Sequence, residues 1–290
     1  MFRSPPIQVK TPAQVRAMRT SGLITGRILD AMCAAAVAGV TTGELDELAR
    51  GLIGEAGATS SFLGYGAGFG LPPYPGVSCI SVNNEVVHGI PGPRVLADGD
   101  LVSIDFGVSY QGWHGDSARS VVVGAGSGGR GVAPSGRMDR VDLCEATRVA
   151  MWDGIAAIRD SGHVGDIGAA VEASLARRGG GHGIVREYTG HGIGTAMHME
   201  PDVPNYGRQG RGPVLREGMC VAVEPMITGG RADVATLDDE WTVVTRDGSD
   251  AAHWEHTVAI TPGGLWVLTA EDGGQAELAA RGVAVAPVGE

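Results

Sequence analysis

The sequence predicts an α+β fold made of two pseudo-symmetric halves. Helix starts alternate with runs of strand-forming residues, and several of those runs carry an acidic side chain. The first half is also echoed in the second. Gly43-Glu44-Leu45 at a helix start matches Gly165-Asp166-Ile167. HGIPGPRVLADGDLVSIDF, from His88, matches HMEPDVPNY, from His198, followed by PVLREGMCVAVEP. Histidine, proline, a Val-Leu pair, an acidic-Gly turn and a strand with a carboxylate recur in that order. A repeat of this size implies a site at the junction of the halves. No linker separates the halves except residues 124–136, so residues 1–290 read as one domain.

Thr11-Pro12-Ala13-Gln14 predicts a helix start: Thr as N-cap, Pro at the first helical position, Gln closing a capping box. The helix runs to about Ala36, with Val15, Met18, Ile28 and Met32 facing inward. Thr41 and Glu44 repeat the box, and Leu45, Leu48 and Leu52 form the next buried stripe. Within residues 77–123, VSCISV, LVSIDFGV and RSVVVG read as strands. Alternation along Leu101, Ser103 and Asp105 puts Asp105 on one face, with Val102, Ile104 and Phe106 opposite. GAGSGGRGVAPSG, residues 124–136, reads as a flexible surface loop. Met138 to Ile158 and Asp166 to Arg178 read as helices, and CVAVEPMI and WEHTVAIT as strands.

A hydrophobic share of 43% suits a globular protein, and a net charge of -11 argues against a general nucleic-acid binder. The start lacks the apolar core of a signal peptide. The longest apolar run, Met32 to Val37, falls far short of the roughly 18 residues that span a bilayer. Cys33, Cys79, Cys144 and Cys220 form no CxxC pair, which disfavours a cysteine zinc site and a disulfide framework. The expectation is a cytoplasmic protein.

His191 and His198 lie in a stretch punctuated by Gly190, Gly192 and Gly194, where the backbone is free to approach something closely. Metal ligation and catalysis both suit them. Asp105 and Asp116 sit on either side of a turn at Tyr110-Gln111-Gly112, and a hairpin brings them face to face. Alone, Asp105 reads equally as a solvent-facing strand-end acid, and Asp116 as a turn cap. Glu224, locked by Pro225 at the end of CVAV, and Glu255 in HWEHTVAI lie beside apolar strands and need a partner. Four crowded carboxylates repel and resist ionisation. Two divalent cations balance them, with bridging carboxylates holding such ions about 3.5–4 Å apart. Carboxylates with one imidazole suit Mn, Fe, Co or Zn.

Those residues carry a family resemblance. Tyr188 to Tyr206 follows throughout the pattern of the type I methionine aminopeptidases. NNEVVHGIP, IDFG, HGDSAR, VEPM and EHTVAIT fall in that family's order and close to its spacings. The chain resembles this family over about residues 8–270, and with it the pita-bread superfamily that includes aminopeptidase P, prolidase and creatinase. The resemblance implies a pita-bread fold with a curved, mainly antiparallel central sheet, and excision of N-terminal methionine before a small second residue.

It also implies roles. Asp105 binds one divalent ion (Co, Mn, Fe, Ni or Zn), His191 and Glu224 bind a second, and Asp116 and Glu255 bridge the two. A bridging hydroxide attacks the scissile carbonyl, with Glu224 relaying the proton. His198 bonds the carbonyl oxygen, and His88 lies near the scissile nitrogen. Tyr74, Cys79, Tyr188, Met197 and Trp241 line the methionine pocket, Met197 standing where relatives often carry an aromatic residue. His256 is expected to be structural. Nascent chains, and through them the ribosome, are the implied partners of a monomer that binds neither nucleic acid nor membrane.

The 124–136 loop is longer than the family's usual connection, and the Cys/His-rich extension and type II helical insertion are absent. The tail from about Glu271 is expected to pack loosely. Two other readings remain: a proline-directed aminopeptidase of the aminopeptidase P or prolidase kind, and a non-catalytic pita-bread binding module. The first is disfavoured because its members usually carry a separate N-terminal domain, the second because all five ligand positions survive.

Overall fold

Each half begins with a pair of helices whose starts are set by local chemistry. In α1 (Pro12–Ala35) the Thr11 side chain accepts from Gln14 N, and Gln14 accepts from Thr11 N. Thr41 and Glu44 do the same for α2 (Thr42–Glu55). The computed structural model describes residues 6–125, 139–179 and 181–288, so nearly all of the glycine-rich 124–136 stretch lies outside the described residues. In α2 the buried stripe is Leu45, Ala49 and Ile53, with Leu48 and Leu52 only half-buried. Positions four apart centre the stripe, which leaves the two other leucines on its flank.

The first half continues through β1 (Thr59–Ser60), a short helical turn (Ala67–Phe69), β2 (Cys79–Val82) and β3 (Glu85–Val87), then β4 (Leu101–Tyr110) and β5 (Trp113–Val122). β4 pairs with β1 and β2 on one edge and with β5 on the other. The residues from Leu101 to Val108 are buried on both faces except Asp105, which is half-buried, so one-sided exposure does not hold. The β4–β5 turn has two residues, Gln111 and Gly112, both with positive φ (51° and 80°), the geometry that matches strand twist. The resulting register sets Asp105 opposite Ala118 and Asp116 opposite Gly107. The two aspartates are therefore diagonal neighbours on one face rather than a facing pair.

The second half holds α3 (Arg140–Ala156), α4 (Val164–Ala176), β6 (Gly183–Ile184), β7 (Gly190–Gly192), β8 (Met199–Val203), β9 (Cys220–Val223) and β10 (Met226–Thr228). After these come β11 (Val234–Thr236), β12 (Val243–Thr245), β13 (Ala251–His253), β14 (His256–Thr261), β15 (Gly264–Val267) and α5 (Gln275–Ala280). The sequence echo is structural. Thr41 bridges Val95 as His163 bridges Val214, and Leu96 N donates to Val40 O as Leu215 N donates to Gly162 O, each at 2.8 Å.

Of two runs expected as continuous strands, one is split in two and the other, WEHTVAIT, starts two residues late at His256. CVAVEPMI becomes β9 and β10, broken at Glu224-Pro225, because proline has no N–H to continue a ladder. β13 and β14 break at Trp254-Glu255. The breaks coincide. β9 and β14 pair within the five-stranded sheet β15-β14-β9-β7-β8, whereas β10 and β13 pair in the three-stranded sheet β13-β10-β6. Both glutamates thus sit where the chain passes between sheets. β5 closes the same break: Glu255 N donates to Ala118 O at 2.9 Å, and Thr257 Oγ1 donates to Asp116 O at 2.8 Å.

Leu278 of α5 is fully buried, and Val285 bridges Leu265. The Arg19 guanidinium on α1 donates to the carbonyls of Val267, Leu268, Ala270 and Glu271. Among the described residues no helix is long and apolar enough to cross a membrane.

Buried Asp46 ties α2 to the start of β2: its Oδ1 accepts from Val77 N, Ser78 N and Ser78 Oγ at 2.8–2.9 Å. Asp46→Ala orphans three donors and is expected to lower unfolding stability by about 3 kcal/mol, measured by urea denaturation. A loss under about 1 kcal/mol would show that this anchor is dispensable.

Candidate metal centre

His191 enters the site on β7, a three-residue strand between β8 and β9. Its flanking glycines are a packing requirement. A Cβ at Gly190 would lie 2.3 Å from Ala222 O, and one at Gly192 would lie 2.1 Å from Glu200 O. Gly107 does the same for Asp116, since a Cβ there would lie 2.9 Å from the Asp116 carboxylate. β4, β5, β7 and the two sheet breaks thereby bring Asp105, Asp116, His191, Glu224 and Glu255 to the floor of one cleft.

Single ligand atoms of Asp116, His191 and Glu255 all lie within 4.8 Å of one another. His191 Nδ1 donates to Gly192 O at 3.0 Å, which leaves Nε2 as a bare lone pair. That lone pair faces Glu224 Oε1 at 3.4 Å and Asp116 Oδ2 at 4.0 Å. Burial, reinforced by His198, lowers the His191 pKa to about 3, so no proton fills the gap. Asp105 Oδ1, Asp116 Oδ1 and Glu255 Oε1 are buried without a hydrogen-bond partner among the described residues.

Burial pushes Asp105, Glu224 and Glu255 well above the usual carboxylate range, and their mutual repulsion adds to it. Asp116 is raised to about 7, again by burial. Lone pairs and orphaned carboxylate oxygens converging in a dry site fit divalent cations. Hard oxygen ligands with one neutral imidazole are the donor set such ions take.

His88 and His198 flank the cluster. His198 opens onto the cleft, but the surrounding protein and His114 still lower its pKa to about 4. Its Nδ1 meets the Tyr65 hydroxyl at 2.5 Å, and its ring stands edge-on to His191 at 4.3 Å. His88 holds a left-handed backbone, φ 60°, a strained state for a non-glycine residue. Its ring stands edge-on to Tyr188 and Trp241, at 5.3 and 6.0 Å.

Beside the acids, Tyr74, Cys79, Met197 and Trp241 pack with Phe62 into one apolar cluster. Tyr74 OH donates to Gly89 O, and Trp241 Nε1 to Pro72 O, so the polar tips are tied to backbone and the wall is apolar. Tyr188 lines the same cleft but packs with Val86, Val185 and Val243.

Sequence reasoning missed Phe62, Tyr65 and His253. His253 Nε2 lies 3.6 Å from Glu224 Oε2 and has no hydrogen-bond partner among the described residues. Strand alternation from Glu255 back to His253 was the available signal. His256 turns away from the cluster, towards Thr269 Oγ1 at 2.8 Å.

A family model, metallopeptidase family M24, matches residues 16–262. The chain belongs to metallopeptidase family M24. Methionine aminopeptidase 1 of Mycobacterium tuberculosis is 46% identical over 265 residues, 90% of this chain and 94% of the relative. Methionine aminopeptidase 1 of Bacillus subtilis is 40% identical over 260 residues, 90% of this chain and 98% of its own length. Methionine aminopeptidase from Thermotoga maritima superposes with a TM-score of 0.83 at 35% identity, covering 92% of this chain and all of that one. Prolidase from Pyrococcus furiosus, at 20% identity and TM-score 0.67, covers 90% of this chain and 65% of that one, and shares the fold. The fold is the α+β pita-bread fold, and the chain is a divalent-metal-dependent aminopeptidase of the methionine aminopeptidase group.

Carboxylates raised by burial bind protons more tightly folded than unfolded. The metal-free protein therefore loses stability as pH climbs from about 4, the unfolded value, through about 7 at Asp116. A divalent ion displaces those protons and should raise the melting temperature more at pH 7.5 than at pH 5. Scanning calorimetry of chelator-stripped and Mn-loaded protein checks this; equal increments at both pH values would contradict it.

Proposed function

We propose that the chain removes the N-terminal methionine from nascent proteins whose second residue is small, using two divalent ions at the junction of its halves. The observation that carries this reading is the convergence of three buried carboxylates, half-buried Asp105 and a bare imidazole beside an apolar pocket. In this reading Asp105 would hold one ion, His191 and Glu224 would hold the other, and Asp116 and Glu255 would serve both. Such ions, when bound, polarise a carbonyl and bring a water near neutral pKa.

The protein's own groups do the rest. The cluster of Tyr74, Cys79, Met197 and Trp241 receives the methionine side chain, with Tyr188 across the cleft; its sulfur atoms and rings suit a thioether. The Tyr65 hydroxyl donates to His198 Nδ1, which leaves the Nε2 proton for the carbonyl oxygen as negative charge grows there. His88, fixed by its backbone and two aromatic edges, faces the scissile nitrogen. Glu224 accepts the proton that water gives up as its oxygen bonds to the carbonyl carbon, and passes it to that nitrogen as the carbon–nitrogen bond breaks. The whole chain acts as one catalytic unit, a monomer in the cytoplasm meeting nascent chains as they leave the ribosome.

His198→Ala should slow turnover by about 10²–10³-fold, the scale of one lost oxyanion donor, with metal content unchanged. An unaltered rate would remove His198 from the chemistry. The reading as a whole is tested with chelator-stripped protein, Mn, Co, Fe, Ni or Zn restored in turn, and three peptides. Metal-dependent release of Met from Met-Ala-Ser but not Met-Lys-Ser is expected. Cleavage of Ala-Pro-Ser instead would make the enzyme proline-directed, and silence with every metal would make the chain a binding module.

A further inference from the structure

The segment between Tyr65 and Tyr74 forms an arch at the mouth of the cleft. Two backbone bonds pinch its base: Gly64 N donates to Tyr74 O, and Tyr74 N to Tyr65 O, each at 2.8 Å. Gly66 and Gly70 hold left-handed backbones, φ 92° and 82°, which turn the chain out and back. The arch leans on Trp241, whose Nε1 donates to Pro72 O and whose ring lies 2.5 Å from where a Gly66 Cβ would stand. Leu71 lines the cleft from this arch and remains 42% exposed. Leu63, at the base, is 51% exposed and outside the cleft lining. Leu71 therefore offers apolar surface to a peptide lying in the cleft, and Leu63 does not.

The geometry of an extended peptide says which residue covers it. Side chains alternate with a period of two, so the first and third residues point the same way, about 7 Å apart. The first side chain occupies the pocket walled by Tyr74 and Trp241. The arch runs into Tyr74 and rests on Trp241, and Leu71 is 42% exposed where those two are 2% and 8%, so Leu71 stands on the solvent side of that wall. The second side chain points away from it.

We infer that the 66–73 arch, through Leu71, selects an apolar third residue in the peptide substrate. This rests on the methionine-excision reading above. Leu71 is a specificity determinant here and takes no part in the bond-breaking step.

The test uses the Mn-loaded enzyme and Met-Ala-X-Ser peptides with X as Gly, Asp, Leu or Phe. Wild type should favour Leu and Phe over Gly by about ten-fold in kcat/KM, expressed in KM, as burying a leucine-sized apolar contact implies. Leu71→Ser should bring that ratio to within about two-fold of unity. Leu63→Ser, an equal loss of exposed apolar surface off the cleft, should keep the wild-type ratio. Equal rates for all four X in wild type, or an undiminished preference in Leu71→Ser, would overturn the arch's role alone. Failure to cleave any of the peptides would overturn the excision reading and the arch with it.

Discussion

Four carboxylates, three buried and Asp105 half-buried, converge on one cleft, and nothing else among the described residues neutralises them. Asp116, Glu255 and Glu224 have at most a tenth of their surface exposed, and no lysine or arginine pairs with them among the described residues. The nearby histidines are held neutral by the same burial that raises the acids. Left alone, this charge would oppose folding, because the cost of desolvating several ionised groups exceeds what packing nearby returns. The centre is built for cations supplied from outside, and the halves are built around the centre.

The pseudo-symmetry explains how one chain assembles such a site. Each half contributes a helix pair followed by a strand that brings in a carboxylate, and the same bridging bonds recur in both. The second half adds a sheet switch, which swings Glu224 and Glu255 out of ladder positions and towards Asp116. Backbone and hydroxyl bonds between β5 and the β13–β14 junction lock that approach. Serine and threonine side chains therefore do structural work at the seam, where purely apolar contact would not fix the register.

Legibility followed the range of the interaction. Capping boxes at Thr11 and Thr41 involve neighbours three residues apart and could be read directly. Glu224 and Glu255 stood out because an acid beside a buried apolar strand needs a reason. The diagonal offset of Asp105 and Asp116 depended on a two-residue turn with both φ positive, which the run Tyr110-Gln111-Gly112 does not state by itself. The switch at Pro225 was hidden because strand partners are chosen far away in sequence. Tyr65 was invisible for the same reason, lying 133 residues from the histidine it holds. His253 was legible in principle, two residues before Glu255, but was passed over within what looked like an unbroken strand.

This acid cluster exists to be neutralised by divalent ions. Its most direct test is the stoichiometry of Mn uptake by chelator-stripped protein, read by calorimetry and by metal analysis after desalting. Two ions per chain are expected in the wild type, with proton release on binding, and loss of tight uptake when Asp116 is replaced by alanine. Saturation at fewer than two ions, or unchanged uptake in Asp116→Ala, would contradict it.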